Sequence, residues 1–168
     1  GMEEYLSVVK VIRSKYPRLP IHVQIEPMQD LTWYQRVYDV GVNTIGIHLE
    51  ILSEHRRNKI CPGKKHILKS TYYKHWEKAV SIFGRGQVSS FIITGYEPDF
   101  SAYLLDLEQM IQIGVVPLIT PARFVPNLFE NPPKTETSLY EKLNQYVAEK
   151  CIEMNLNPLN HKAGCIRC

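Results

Sequence analysis

Apolar and polar positions follow two rhythms along this chain. Leu6, Val9 and Ile12 recur at helical spacing, and Pro17 and Pro20 stop that helix just beyond Tyr16. Ile21-His22-Val23-Gln24-Ile25-Glu26 then alternates strictly, which is the period of a strand. A second helix is predicted over about 30–40, closed by Gly41, and a strand over 44–51. The charged stretch 52–69, with Cys61-Pro62-Gly63 inside it, predicts an irregular connection. A helix over 70–83, ended by Gly84 and Gly86, precedes a strand over 88–94 that stops at Gly95. A helix over 101–113, ended by Gly114, precedes a strand over 115–120, and a last helix over 137–154 leads into a short tail.

Helix and strand thus alternate four times, which argues for an α/β fold with a parallel sheet and helices outside it. No Gly-x-Gly-x-x-Gly follows any strand, so the dinucleotide-binding version is disfavoured, although order alone leaves an open doubly wound sheet possible. The faces of the first two strands bear on that choice. Ile21, Val23 and Ile25 share one face, while His22, Gln24 and Glu26 share the other. In the next strand Ile45, Ile47, Leu49 and Ile51 oppose Gly46, His48 and Glu50. Central strands of an ordinary parallel sheet are apolar on both faces. Polar inner faces suggest a lumen, hence a partial parallel (β/α) barrel, a TIM-like half-barrel of about four strands. Four strands leave two edges, so a partner or a further segment is expected to cover them. The expected division is a part-barrel over 2–131, a packing helix over 132–157 and a cysteine-containing tail over 158–168.

Composition adds limits. At 44% hydrophobic and 22% charged residues the 168-residue chain suits one soluble globular domain. It has neither an apolar run of membrane-spanning length nor a signal-like N-terminus, so a cytoplasmic location is expected. A net charge of +3 with scattered basic residues gives no argument for nucleic acid. Lys64, Lys65, His66, Lys69, Lys74 and Lys78 read as a solvated helix face, with a phosphate contact as the minority alternative.

In α/β barrels the site lies at the C-terminal strand ends. Here these carry Glu26-Pro27, Glu50, Gly95-Tyr96-Glu97 and, on the fourth strand, Arg123. Glu26 and Glu50 continue the inward polar columns, and a carboxylate there needs an amine, hydroxyl or guanidinium as partner. Arg56 and Arg57 follow Glu50 and offer a fork that matches a carboxylate. His22 and His48 hold neighbouring inner positions; hydrogen-bonded core histidines are expected, and a metal site with Glu26 or Glu50 is the alternative. Gly95 permits close approach of a ligand, or simply makes a turn. The terminal Cys165-Ile166-Arg167-Cys168 is the most specific local signal, since Cys-x-x-Cys sets two thiolates on one zinc ion or iron–sulfur cluster. Two ligands do not close such a site, so more chain, a second copy, Cys151 or Cys61 must complete it. A redox dithiol is the rival, without its usual strand–helix context.

Several of these motifs resemble a known family. Thr44-Ile45-Gly46-Ile47-His48-Leu49-Glu50, with Arg56-Arg57-Asn58-Lys59-Ile60-Cys61-Pro62-Gly63-Lys64 after it, resembles the fourth strand and loop of radical S-adenosylmethionine (SAM) enzymes of the biotin synthase and lipoyl synthase branch. Phe83-Gly84-Arg85-Gly86-Gln87 and the strand running to Gly95-Tyr96-Glu97 resemble the fifth strand. Val116-Pro117-Leu118-Ile119-Thr120-Pro121 resembles the end of the sixth, and Lys162-Ala163-Gly164-Cys165-Ile166-Arg167-Cys168 is similar to the tail of one subfamily. The resemblance implies strands three to six of a (β/α)6 barrel. It also implies that Glu26, Glu50, Arg57 (or Arg56), Ile93 and Gly95 hold SAM; His22, His48, Glu97 and Arg123, from their places on the inner face and rim, are the candidates for substrate. An iron–sulfur cluster or zinc at Cys165 and Cys168 goes with it. The family's Cys-x-x-x-Cys-x-x-Cys, whose cluster reduces SAM to a 5′-deoxyadenosyl radical, occurs nowhere in the sequence. The chain alone is therefore expected to be inactive, completed by an N-terminal half-barrel or a second copy. A non-catalytic homodimeric binding module with a metal at its cysteines is the runner-up.

Overall fold

The computed structural model describes residues 1–123 and 135–167. Helix α1 (Met2–Lys15) leads to strand β1 (His22–Gln24), α2 (Trp33–Asp39), β2 (Thr44–Gly46), α3 (Glu54–Ile60) and α4 (Lys69–Phe83). Strand β3 (Val88–Thr94), α5 (Ser101–Ile113), β4 (Val115–Pro121) and α6 (Thr137–Glu153) follow. The strands form one parallel sheet in the order β1-β2-β3-β4. With helices around it, the architecture is a partial TIM-like barrel in which β1 and β4 are the edges of the sheet.

The apolar columns lie where the alternation predicts. Val23, Ile45, Ile47 and Leu49 are buried in a common core with Tyr34, Tyr72 and Trp76. Helix α5 and strand β3 have the predicted bounds, and β4 runs one residue further than expected.

Two differences have physical causes. β2 is much shorter than the predicted strand because side chains replace backbone partners beyond the Ile47 N–H, which still donates to the Ser89 carbonyl. The Leu49 N–H donates to Ser90 Oγ (3.0 Å) and the Phe91 N–H donates to His48 Nδ1 (3.1 Å). The orphaned Ile47 carbonyl accepts from the Trp76 indole at 2.9 Å, so the irregularity leaves no backbone oxygen unpaired there. A single isolated parallel bridge between Glu50 and Ile92 follows.

The other difference is α3, inside the stretch predicted as a loop. Ser53 caps its N-terminus, its hydroxyl accepting from Arg56 N, and its buried residue is Arg57. A helix whose inward residue is an arginine has no apolar stripe, so periodicity does not register it. A 3-10 turn, Pro62–Lys64, follows and directs Lys64 back over the sheet.

Candidate functional site

The C-terminal strand ends gather charge around one ammonium. Lys64 Nζ lies 3.0 Å from Glu26 Oε1 and 3.0 Å from Glu50 Oε2, and donates to the His48 carbonyl at 2.9 Å. The lysine side chain is only 14% exposed, whereas Glu26 is 52% exposed and Glu50 28%. The buried Tyr72 hydroxyl donates to the other Glu26 oxygen at 3.3 Å. Glu50 has φ +67°, a left-handed conformation that costs a non-glycine residue about 1–2 kcal/mol. Cys61 stands beside it, Sγ 3.6 Å from Glu50 Oε2, and burial together with that carboxylate pushes its thiol up.

Arg57 sets the position of the loop that delivers Lys64. Its fully buried guanidinium donates to the Ile51 carbonyl (3.0 Å) and the Ile67 carbonyl (3.1 Å), the two ends of the connection. Glu54 lies 3.7 Å away and the Tyr72 ring 5.7 Å. Arg57 therefore faces inward, while Arg56 is exposed. On β3, Ile93 is half-buried, and the Gly95 and Glu97 N–H groups both donate to the Tyr103 hydroxyl. Glu97 accepts from Ser53 N at 2.8 Å, tying this strand end to the start of α3. A cleft of about 350 Å³ opens beside it, lined by Gly95, Glu97, Asp99, Glu136 and Lys142. Arg123 is exposed.

The opposite pole of the sheet is built differently. Gln87 clamps the tail with both ends of its carboxamide, donating to the Asn160 carbonyl (3.1 Å) and accepting from Lys162 N (3.0 Å). Buried His161 holds the Gly86 carbonyl through Nδ1 at 2.6 Å, and Thr44 donates to the Ala163 carbonyl at 3.1 Å. Gly164 lies against His22 so closely that a Cβ there would stand 2.6 Å from the ring. Cys165 and Ile166 complete a space of about 10 Å³ with His22, Gln24, His48 and Phe91, room for about one water molecule.

Hydrogen bonding fixes the state of both inner histidines. Thr44 uses its hydrogen on the Ala163 carbonyl, so it accepts from His22 Nδ1 at 2.8 Å. His48 Nδ1 accepts from a backbone N–H, so a neutral His48 carries its proton on Nε2, a buried atom without a partner. Burial pushes both pKa values down to about 4, helped at His22 by His161 and at His48 by Lys64.

Glu26 and Glu50 thus come together with Lys64 at one pole, while His22, His48 and Cys165 meet under the tail at the other. His48 links the two: its carbonyl accepts from Lys64 while its ring lies beneath the tail. Among the described residues no three His, Cys, Asp or Glu side chains are gathered to hold a metal ion, so His22 and His48 do not stand together with Glu26 or Glu50 in this arrangement. Cys165 is exposed, and Cys168 lies outside the described residues. Lys64 and Tyr72 are the site residues that sequence reasoning missed. Nothing in spacing separates Lys64 from Lys65 beside it.

No family model and no curated protein matches the sequence. Among solved structures, coproporphyrinogen III oxidase (HemN) from Escherichia coli, a radical SAM enzyme, superposes with a TM-score of 0.69. The match covers 92% of this chain at 9% identity. The chain shares its fold with part of a radical SAM enzyme. It spans 37% of that protein. Among the described residues no helix is long and apolar enough to cross a membrane.

Proposed function

We propose that the chain is the SAM- and substrate-side wall of a radical SAM enzyme, of the biotin synthase and lipoyl synthase type. The observation that carries this reading is the convergence of Glu26 and Glu50 on a single ammonium at the C-terminal rim. SAM presents an ammonium and a sulfonium, and two carboxylates suit both. Glu26 and Glu50 would hold the amino acid end. Arg56, free of the internal bonds that engage Arg57, would face the ligand carboxylate, with the adenine against Ile93 and Gly95. SAM bound there supplies the alkyl group that the family's cluster releases by one-electron reduction. The cysteine loop for that cluster is not in this sequence, so it would come from another segment or chain. His22, His48, Glu97 and Arg123 remain candidates for the substrate side. The first two are available only beneath the tail.

The test is a SAM titration followed by amide shifts. Shifts are expected at Glu26, Glu50 and Gly95, and Glu50→Gln should weaken binding by about tenfold, as loss of a charge-assisted contact does. Shifts confined to the tail pole, or none at millimolar SAM, would sink the reading.

A second reading, a homodimeric binding module, is favoured by the exposed Cys165 on a docked tail and by the two sheet edges. In it, Cys165 and Cys168 of two copies share a zinc ion or an iron–sulfur cluster. A monomer by light scattering, free of metal, would exclude it.

A further inference from the structure

We infer that Glu26, Glu50 and the His48 carbonyl form a receptor for a primary ammonium, that Lys64 is its built-in occupant, and that a cationic ligand enters by displacing Lys64. Only the identity of the displacing ligand rests on the SAM reading above.

An ammonium has three N–H groups. At Lys64 each has an acceptor at 2.9–3.0 Å, two of them carboxylate oxygens from different strands and the third a backbone carbonyl. The walls and the occupant belong to different parts of the fold. Glu26, His48 and Glu50 continue β1 and β2, whereas Lys64 arrives on the 3-10 turn between α3 and α4. The receptor can therefore keep its shape while its occupant withdraws.

Saturation also decides what kind of ligand fits. Lys64 has no hydrogen left over, so a ligand carboxylate gains no bond from it unless one of the three is broken. A ligand ammonium replaces Lys64 hydrogen for hydrogen. Withdrawal of Lys64 leaves two carboxylates at the rim, which favours a cation over a neutral or anionic group. The more open side is toward the half-exposed Glu26, and a ligand would approach from there. Lys64 then acts as a specificity-determining residue: it excludes ligands lacking a cationic head.

Two measurements test the receptor and the ligand separately. Lys64→Ala should lower the melting temperature, and tens of millimolar propylammonium should restore it. Tetramethylammonium, which has the charge but no N–H, should not. If the alanine variant does not fold unaided, folding in propylammonium but not in tetramethylammonium is the same result. Equal effects of the two cations, or none from either, overturn the receptor. Lys64→Met keeps the stem and removes the charge, and should bind SAM about tenfold more tightly than the wild-type chain. Equal or weaker binding overturns displacement while leaving the SAM reading intact. Amine rescue without SAM binding by either chain overturns the SAM reading and leaves an ammonium receptor for another ligand.

Discussion

Arg57→Ala is expected to lower folding stability by about 3–5 kcal/mol, the sum for two charge-assisted hydrogen bonds at about 1.5–3 kcal/mol each. The guanidinium joins the buried Ile51 carbonyl to the half-buried Ile67 carbonyl, so its loss deprives both of this partner and frees the connection that holds Lys64 over Glu26 and Glu50. Arg57→Lys should recover only part of this, because one ammonium on a flexible stem cannot reproduce a fork that bonds in two directions. Urea unfolding supplies the stability, and acylation of Lys64 supplies the local readout, with faster modification expected in the alanine variant. A loss below about 1 kcal/mol would show that the carbonyls find other partners.

Acid should destabilise the protein well before its carboxylates are protonated. His22 and His48 are held neutral in the folded state with pKa values near 4, against about 6.5 in an unfolded chain. As pH falls below about 6.5 the unfolded chain takes up protons first, so stability declines from there down to about pH 4 and is complete above that window. His48 accounts for about 3 kcal/mol of this, and His22, more open to water, for less. Burial shifts His75 and His161 the same way. Urea midpoints at neutral pH and near pH 4.5 check the slope, and ring-proton titrations assign it. A flat profile between the two would contradict the buried neutral state of these rings.

Where an element buries an apolar stripe, its place was legible from sequence. The alternation at Ile21–Glu26 fixed which face of β1 turns inward, and the polar inner column of residues 44–50 gave both the lumen and the carboxylates at its end. The position of α3 was not legible, because its inward residue is Arg57. Lys64 was hidden for a related reason. Its role depends on a turn that folds back over two strands, and no local pattern reports that return. The tail was read for its cysteines, but what docks it is Gln87, Thr44 and His161, whose partners are mostly backbone groups. Such bonds leave almost no trace in residue type.

The left-handed backbone at Glu50 sets the demands of stability and of binding against each other at one residue. Glycine would relax that conformation, and asparagine would adopt it more readily than glutamate. Either change also removes a carboxylate from Lys64, so the backbone gain is set against a lost ion pair. Paired with Lys64→Met, which no longer needs that partner, the same change would improve the scaffold while erasing half of the ammonium receptor. Any selection for heat tolerance on this chain therefore needs a ligand in the screen.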